Sequence, residues 1–122
     1  SKKTRIRIRR MQAITEGVEF DTIAREWRMK WSEDNDKASL KKVQELINNV
    51  LDQVKAVDGV KGVQRIVCGG CHDFKIIVSV EAGKFGAWQE TGFAPEADFL
   101  ASVGEVEGIT TVETQNYTIA PL

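Results

Sequence analysis

The sequence predicts an α+β domain of β-α-β-β-α-β order, with a four-stranded antiparallel sheet and both helices on one of its faces. Three observations predict it. Apolar residues recur at helical spacing most clearly between residues 40 and 57. Apolar residues alternate with period two on either side of that stretch. A short string at the end of each helical region repeats, Val57-Asp58-Gly59-Val60-x-x-Val63 matching Val106-Glu107-Gly108-Ile109-x-x-Val112, 49 positions apart.

The first element is the alternating run from Phe20 to Trp31. Ile23, Trp27, Met29 and Trp31 fall on one face with Arg25 interrupting it, while Glu26, Arg28 and Lys30 fall on the other. This is the pattern of a half-buried strand with one wet face. Ser32-Glu33-Asp34-Asn35-Asp36 then offers helix N-caps, and its acids suit the positive end of a helix. Leu40, Val43, Ile47, Val50, Val54 and Val57 form the apolar stripe of an amphipathic helix that Gly59 is placed to end. Val63–Val67 reads as the second strand, and Phe74, Ile76, Val78 and Val80 alternate along the third. Gly69-Gly70 lies between them, suited to the positive backbone angles of a tight hairpin. A weaker helical region from Lys84 to Val106 is divided by Gly92 and Pro95, with Pro95 in the first turn of the second piece. Ile109 to Ile119, rich in Thr and Val, closes as the fourth strand. In both copies of the repeat a helix ends, Gly breaks it and a β-branched residue starts a strand. Two pseudo-symmetric βαβ halves would leave that trace, which is the split plan of the ferredoxin-like fold.

Composition fits one such domain. The chain has 122 residues and a mass of 13.6 kDa, enough to bury a core without metals or multiple disulfides. Hydrophobic residues at 42% and charged residues at 29% exclude a wholly disordered or fibrous chain. No apolar run approaches the ~18 residues of a membrane span, and no signal-type apolar stretch follows the basic start. The expected compartment is therefore the cytoplasm or an organellar matrix or stroma.

Charge is uneven. Residues 1–10 carry Lys2, Lys3, Arg5, Arg7, Arg9 and Arg10 and no acid, leaving 11 basic against 18 acidic groups in the rest. Residues 1–19 are read as a basic arm and 20–122 as the domain. Ile6 and Ile8 alternate with Arg5, Arg7 and Arg9, a pattern suited to a segment laid along a partner. An acidic protein, an anionic surface or a sister subunit would meet that charge.

A sheet with helices on one face leaves the other uncovered. Here that face carries residues such as Ile77, so a second copy or a ligand is expected to close it. Nucleic acid is a poor candidate, because the outer positions of the first strand (Glu26, Arg28, Lys30) offer no aromatic for base stacking. The segment Gly70-Cys71-His72-Asp73-Phe74, the apolar strand after it and Val106-Glu107-Gly108-Ile109-x-x-Val112-Glu113-Thr114 resemble the effector-binding domain of leucine-responsive regulators. More broadly, residues 20–120 resemble the dimeric α/β-barrel superfamily. The resemblance implies two sheets packed face to face in a homodimer, with ligands or active sites in the barrel or at subunit junctions. It also implies that Gly70 and Asp73 shape a turn near such a junction. With only about 20 residues before the first strand there is no room for a helix-turn-helix, so a DNA-binding regulator is not expected.

Cys68-Gly69-Gly70-Cys71-His72 matches the C-x-x-C-H pattern of covalent haem attachment, and His72 is the sole histidine. Two thiols would take the vinyl groups and the imidazole the iron. The motif sits in a predicted hairpin, however, and no helix follows it to stabilise a thiolate. A zinc site would need a partner's cysteines. The alternatives are a structural turn with free thiols or a local disulfide, a metal or redox site at Cys68, Cys71 and His72, or haem; no cofactor is expected.

No other catalytic set stands out, since Glu105 and Glu107 read as a solvated helix end. The expected function is therefore a non-catalytic, self-associating domain that binds a small ligand or docks onto an assembly. Its ligand or interface residues would be Trp27, Trp31, Gly70, Asp73 and Tyr117, and its partner-binding arm Arg5, Arg7, Arg9 and Arg10. The alternatives are a small barrel enzyme of monooxygenase or isomerase type, with Trp27, Trp31 or Tyr117 lining its pocket, and a haem or redox protein through residues 68–72.

Overall fold

A computed structural model of the chain describes residues 11–122; the alternating basic segment at residues 2–10 lies outside them. Ahead of the first expected strand, the chain forms a small hairpin of β1 (Gln12–Thr15) and β2 (Val18–Phe20), with Gly17 turning at φ +80°. Next come β3 (Thr22–Lys30), α1 (Asp34–Lys55), β4 (Val60–Val67) and β5 (Asp73–Glu81). The second crossover consists of two short helices, α2 (Ala82–Glu90) and α3 (Glu96–Gly104), and the chain ends in β6 (Thr110–Ile119).

The four long strands pair in the order β4-β5-β3-β6, all antiparallel. This is the ferredoxin-like βαββαβ arrangement, and it places β3 and β5 in the centre. Trp27, Met29 and Trp31 all point to the helices and are buried, packed with Phe74, Ile76, Val78 and Val80 of β5. Helix α1 lays Val43, Ile47 and Val54 on this layer, while Phe85, Trp88, Phe93, Phe99 and Val103 close its other half.

The helix starts earlier than its apolar stripe. Ser32 Oγ accepts from the Asp34 amide at 3.0 Å, and Asn35, Asp36 and Lys37 have φ between 54° and 60°, so the first turn is left-handed.

The repeated string corresponds to two equivalent turns. At the first, Val60 N donates to Val57 O at 3.1 Å across Gly59 (φ +89°). At the second, Ile109 N donates to Val106 O at 3.2 Å across Gly108 (φ +92°). Both need the left-handed region that glycine enters at little cost.

The β4–β5 connection departs from expectation. Neither Gly69 nor Gly70 has positive φ; His72 does, at 61°. The turn is instead closed by a Cys68–Cys71 disulfide and by Cys68 N donating to Asp73 O at 2.9 Å. With the chain pinned there, the left-handed step moves to the residue that re-enters the sheet.

Candidate active site

Two carboxylates, buried Glu26 and half-buried Glu96, meet β3 on opposite sides of the sheet. On the helix side, Arg25 interrupts the apolar face because it has a partner from α3. Its Nε and Nη2 donate to Glu96 Oε2 and Oε1, both at 2.8 Å, in the bidentate geometry that suits this pair. Trp27 Nε1 donates to Glu96 Oε2 at 2.7 Å, Arg25 Nη1 to Asn116 Oδ1 at 2.9 Å, and the guanidinium lies 4.0 Å from the Phe93 ring centre. Three donors satisfy the Glu96 carboxylate and a full cation neutralises it. That arrangement fastens α3 to the sheet and leaves little for a substrate.

On the opposite face, none of the described helices covers the sheet, yet Glu26 is only 3% exposed. The register explains its company: Glu26 lies between Ile77 of β5 and Gln115 of β6. Gln115 Nε2 donates to its Oε2 at 2.8 Å and Tyr117 OH to its Oε1 at 3.2 Å. Among the described residues the cation paired with it is Arg28, 3.9 Å from Oε2, but Arg28 lies closer to Glu113, at 3.1 Å. Glu26 is thus held by neutral donors and only partly neutralised. A buried carboxylate of this kind is costly to keep, and among the described residues each of its oxygens accepts one hydrogen bond.

Tyr117 answers to the same carboxylate. Partial burial and the adjacent Glu26 charge push its hydroxyl up to about 12. At neutral pH it is therefore a phenol that donates to the carboxylate. Arg28 leads from this cluster into a cavity of about 170 Å³ that Lys30, Asp73, Thr111 and Glu113 also line. Lys30, bonded to Asp73, holds that carboxyl below its ordinary value.

The sequence-expected site residues do not converge. Trp27 and Trp31 are core residues on the helix side, and Tyr117 belongs to the other face. A shared pocket lined by the three does not form. Gly70 is exposed in the β4–β5 turn, while Asp73 starts β5 and lines the cavity. The two cysteines are bonded to each other, and His72 packs its ring 4.6 Å from Trp31 with Nε2 3.2 Å from Glu33. A haem thioether or a metal bond would require the disulfide to be open. Glu26, which reads in the sequence as one more wet-face residue, is the group that sequence reasoning missed. Its signal was the outward alternation of Glu113, Gln115 and Tyr117 on the last strand.

No protein-family profile and no curated protein matches the chain. Solved structures do. A protein from Caulobacter crescentus CB15 assigned as an antibiotic biosynthesis monooxygenase superposes with a TM-score of 0.62 at 11% identity, over 84% of this chain and 92% of that one. A Deinococcus radiodurans protein with the same assignment gives 0.60 at 12% identity, over 82% and 94%. SnoaB, a cofactor-independent oxygenase from Streptomyces nogalater, gives 0.56 at 12% identity, over 84% and 96%. The architecture is one that proteins described as oxygenases share. These neighbours overturn the expected non-catalytic docking domain, since the fold they share is one described with enzymes, and they favour the enzyme alternative. They lend no support to the finer likeness to effector-binding domains of leucine-responsive regulators. Among the described residues, no helix is long and apolar enough to cross a membrane.

Proposed function

We propose that this chain is a small oxygenase-type enzyme that uses no cofactor and starts its reaction by taking a proton from an acidic C–H of an organic substrate. The observation that carries the reading is the buried, partly neutralised Glu26 on the open sheet face. A substrate carbanion can itself supply electrons to dioxygen, so the protein's task is to make that carbanion and keep water from it. Glu26 accepts the proton as general base, Tyr117 and Gln115 keep its carboxylate oriented, and Arg28 offers positive charge to the developing anion. The carbanion adds dioxygen to give a peroxide anion, and the proton on Glu26 returns to the distal oxygen. At a methylene carbon the hydroperoxide then loses water, so that one methylene group and one dioxygen give one carbonyl group and one water.

The test uses a diaryl methylene compound acidified by a conjugated carbonyl. Oxygen uptake should proceed without added cofactor and survive chelator treatment. Glu26→Gln should slow it by at least about 100-fold, the scale of a lost general base, and Tyr117→Phe by less. Without oxygen, exchange of the methylene hydrogens with deuterated water should persist and depend on Glu26. Uptake that needs a metal or flavin, or a Glu26→Gln enzyme with unchanged exchange, would refute the assignment.

A further inference from the structure

The function above does not use the Cys68–Cys71 turn, yet the surroundings of its two sulfurs are unequal. The Cys71 amide donates to Cys68 Sγ at 3.1 Å. On the other side, Cys71 Sγ lies 3.3 Å from Asp73 Oδ2. A backbone N–H stabilises a thiolate, as several do together at a helix N-terminus, whereas a carboxylate disfavours one and accepts the proton of a thiol. Cys71 is exposed and Cys68 half-buried, so a reagent reaches Cys71 first. Lys30 stands beside the approach: its Nζ donates to Cys71 O at 2.9 Å and pairs with Asp73, offsetting the charge that would repel an incoming thiolate.

We propose that Cys68–Cys71 is an exchangeable disulfide, opened by a small dithiol, in which Cys68 is the sulfur that leaves and later re-closes the bond. The reagent's thiolate attacks Cys71 Sγ, a mixed disulfide forms there, and the electron pair of the broken S–S bond goes to Cys68 under the Cys71 amide. The reagent's second thiolate then attacks its own sulfur in the mixed disulfide. That closes a cyclic disulfide and expels Cys71, which takes a proton beside Asp73. The protein gains two electrons and the dithiol loses two. Oxidised dithiol reverses the sequence: the Cys71 thiolate opens the cyclic disulfide to re-form the mixed disulfide, and Cys68 then attacks Cys71 Sγ and expels the reagent's thiolate.

The test uses the full chain, folded, at neutral pH. After dithiothreitol, iodoacetamide should add two labels by intact mass while the circular dichroism remains that of the folded protein. In the single-thiol variants, Cys68 in Cys71→Ser should alkylate about tenfold faster than Cys71 in Cys68→Ser, as expected for unequal thiolate character. Adding Asp73→Asn to Cys68→Ser should speed labelling of Cys71. The proposal fails if the bond opens only after denaturation, if oxidised dithiol leaves the thiols free, if the two single-thiol variants react at equal rates, or if Asp73→Asn changes nothing.

Discussion

Glu26 and Glu96 show how two carboxylates on one strand's neighbourhood acquire different characters. Arg25 answers Glu96 charge for charge, whereas neutral donors answer Glu26. The neutral donor Tyr117 makes the difference measurable, because it is the only tyrosine in the chain. Its hydroxyl, raised to about 12 from an unfolded value of 10.0, stabilises the fold fully below pH 10, and that contribution is lost as pH rises from about 10 to about 12. The ultraviolet band of the phenolate should therefore appear well above pH 10 in folded protein, and Glu26→Gln should bring it lower. A band centred at pH 10 in folded protein would show that Glu26 and Tyr117 do not communicate. At this scale the sequence was partly legible. Period two assigned Trp27, Met29 and Trp31 inward and Glu26 outward, because alternation is a local property. It was silent on why Arg25 faces inward or why Glu26 is buried, since Glu96, Gln115 and Tyr117 lie about 70 to 90 positions away along the chain.

The same limit applies to elements. Helix α1 and strands β3 and β5 followed from periodicity, β6 from its Thr- and Val-rich composition, and the glycine repeat located both helix-to-strand turns. The β1–β2 hairpin did not, because strands of four and three residues carry too short a pattern; Gly17 was its one visible mark. The two glycine turns separate in their tolerance of a methyl group. A Cβ on Gly59 would run into the Lys84 side chain, 2.7 Å from Cγ and nearer still to Cβ, whereas one on Gly108 would meet Ser39 Cβ at 3.1 Å. Each substitution also forces a side chain into positive φ, at about 1–3 kcal/mol. Chemical denaturation should rank Gly59→Ala as more destabilising than Gly108→Ala, and equal losses would mean that backbone strain alone decides. The Arg25–Glu96 fastener holds α3 to β3 while 13% and 14% exposed. Glu96→Ala strands a buried guanidinium and should cost about 3 kcal/mol or more in urea unfolding. Asp36→Ala, which removes the exposed pair with Lys41, should shift the urea midpoint far less.

For the molecule as a whole, the strand order places the entire four-stranded sheet and its core between Phe20 and Ile119. A chain beginning at residue 11 should therefore unfold as one cooperative transition at nearly the full-length midpoint by thermal circular dichroism. A broadened or strongly lowered transition would show that residues 1–10 belong to the core. The register has a mechanical corollary. Thr22, where β3 begins, lies directly across from Ile119, where β6 ends. Tension applied through these two residues acts across the ladder and breaks its hydrogen bonds one after another, as a zipper opens, with no need to shear the whole strand at once. The domain should yield to a gentle pull from its two ends despite its aromatic core. A short linker joining Thr22 to Ile119 should hold that zipper shut, so that the β3–β6 ladder no longer opens from its end.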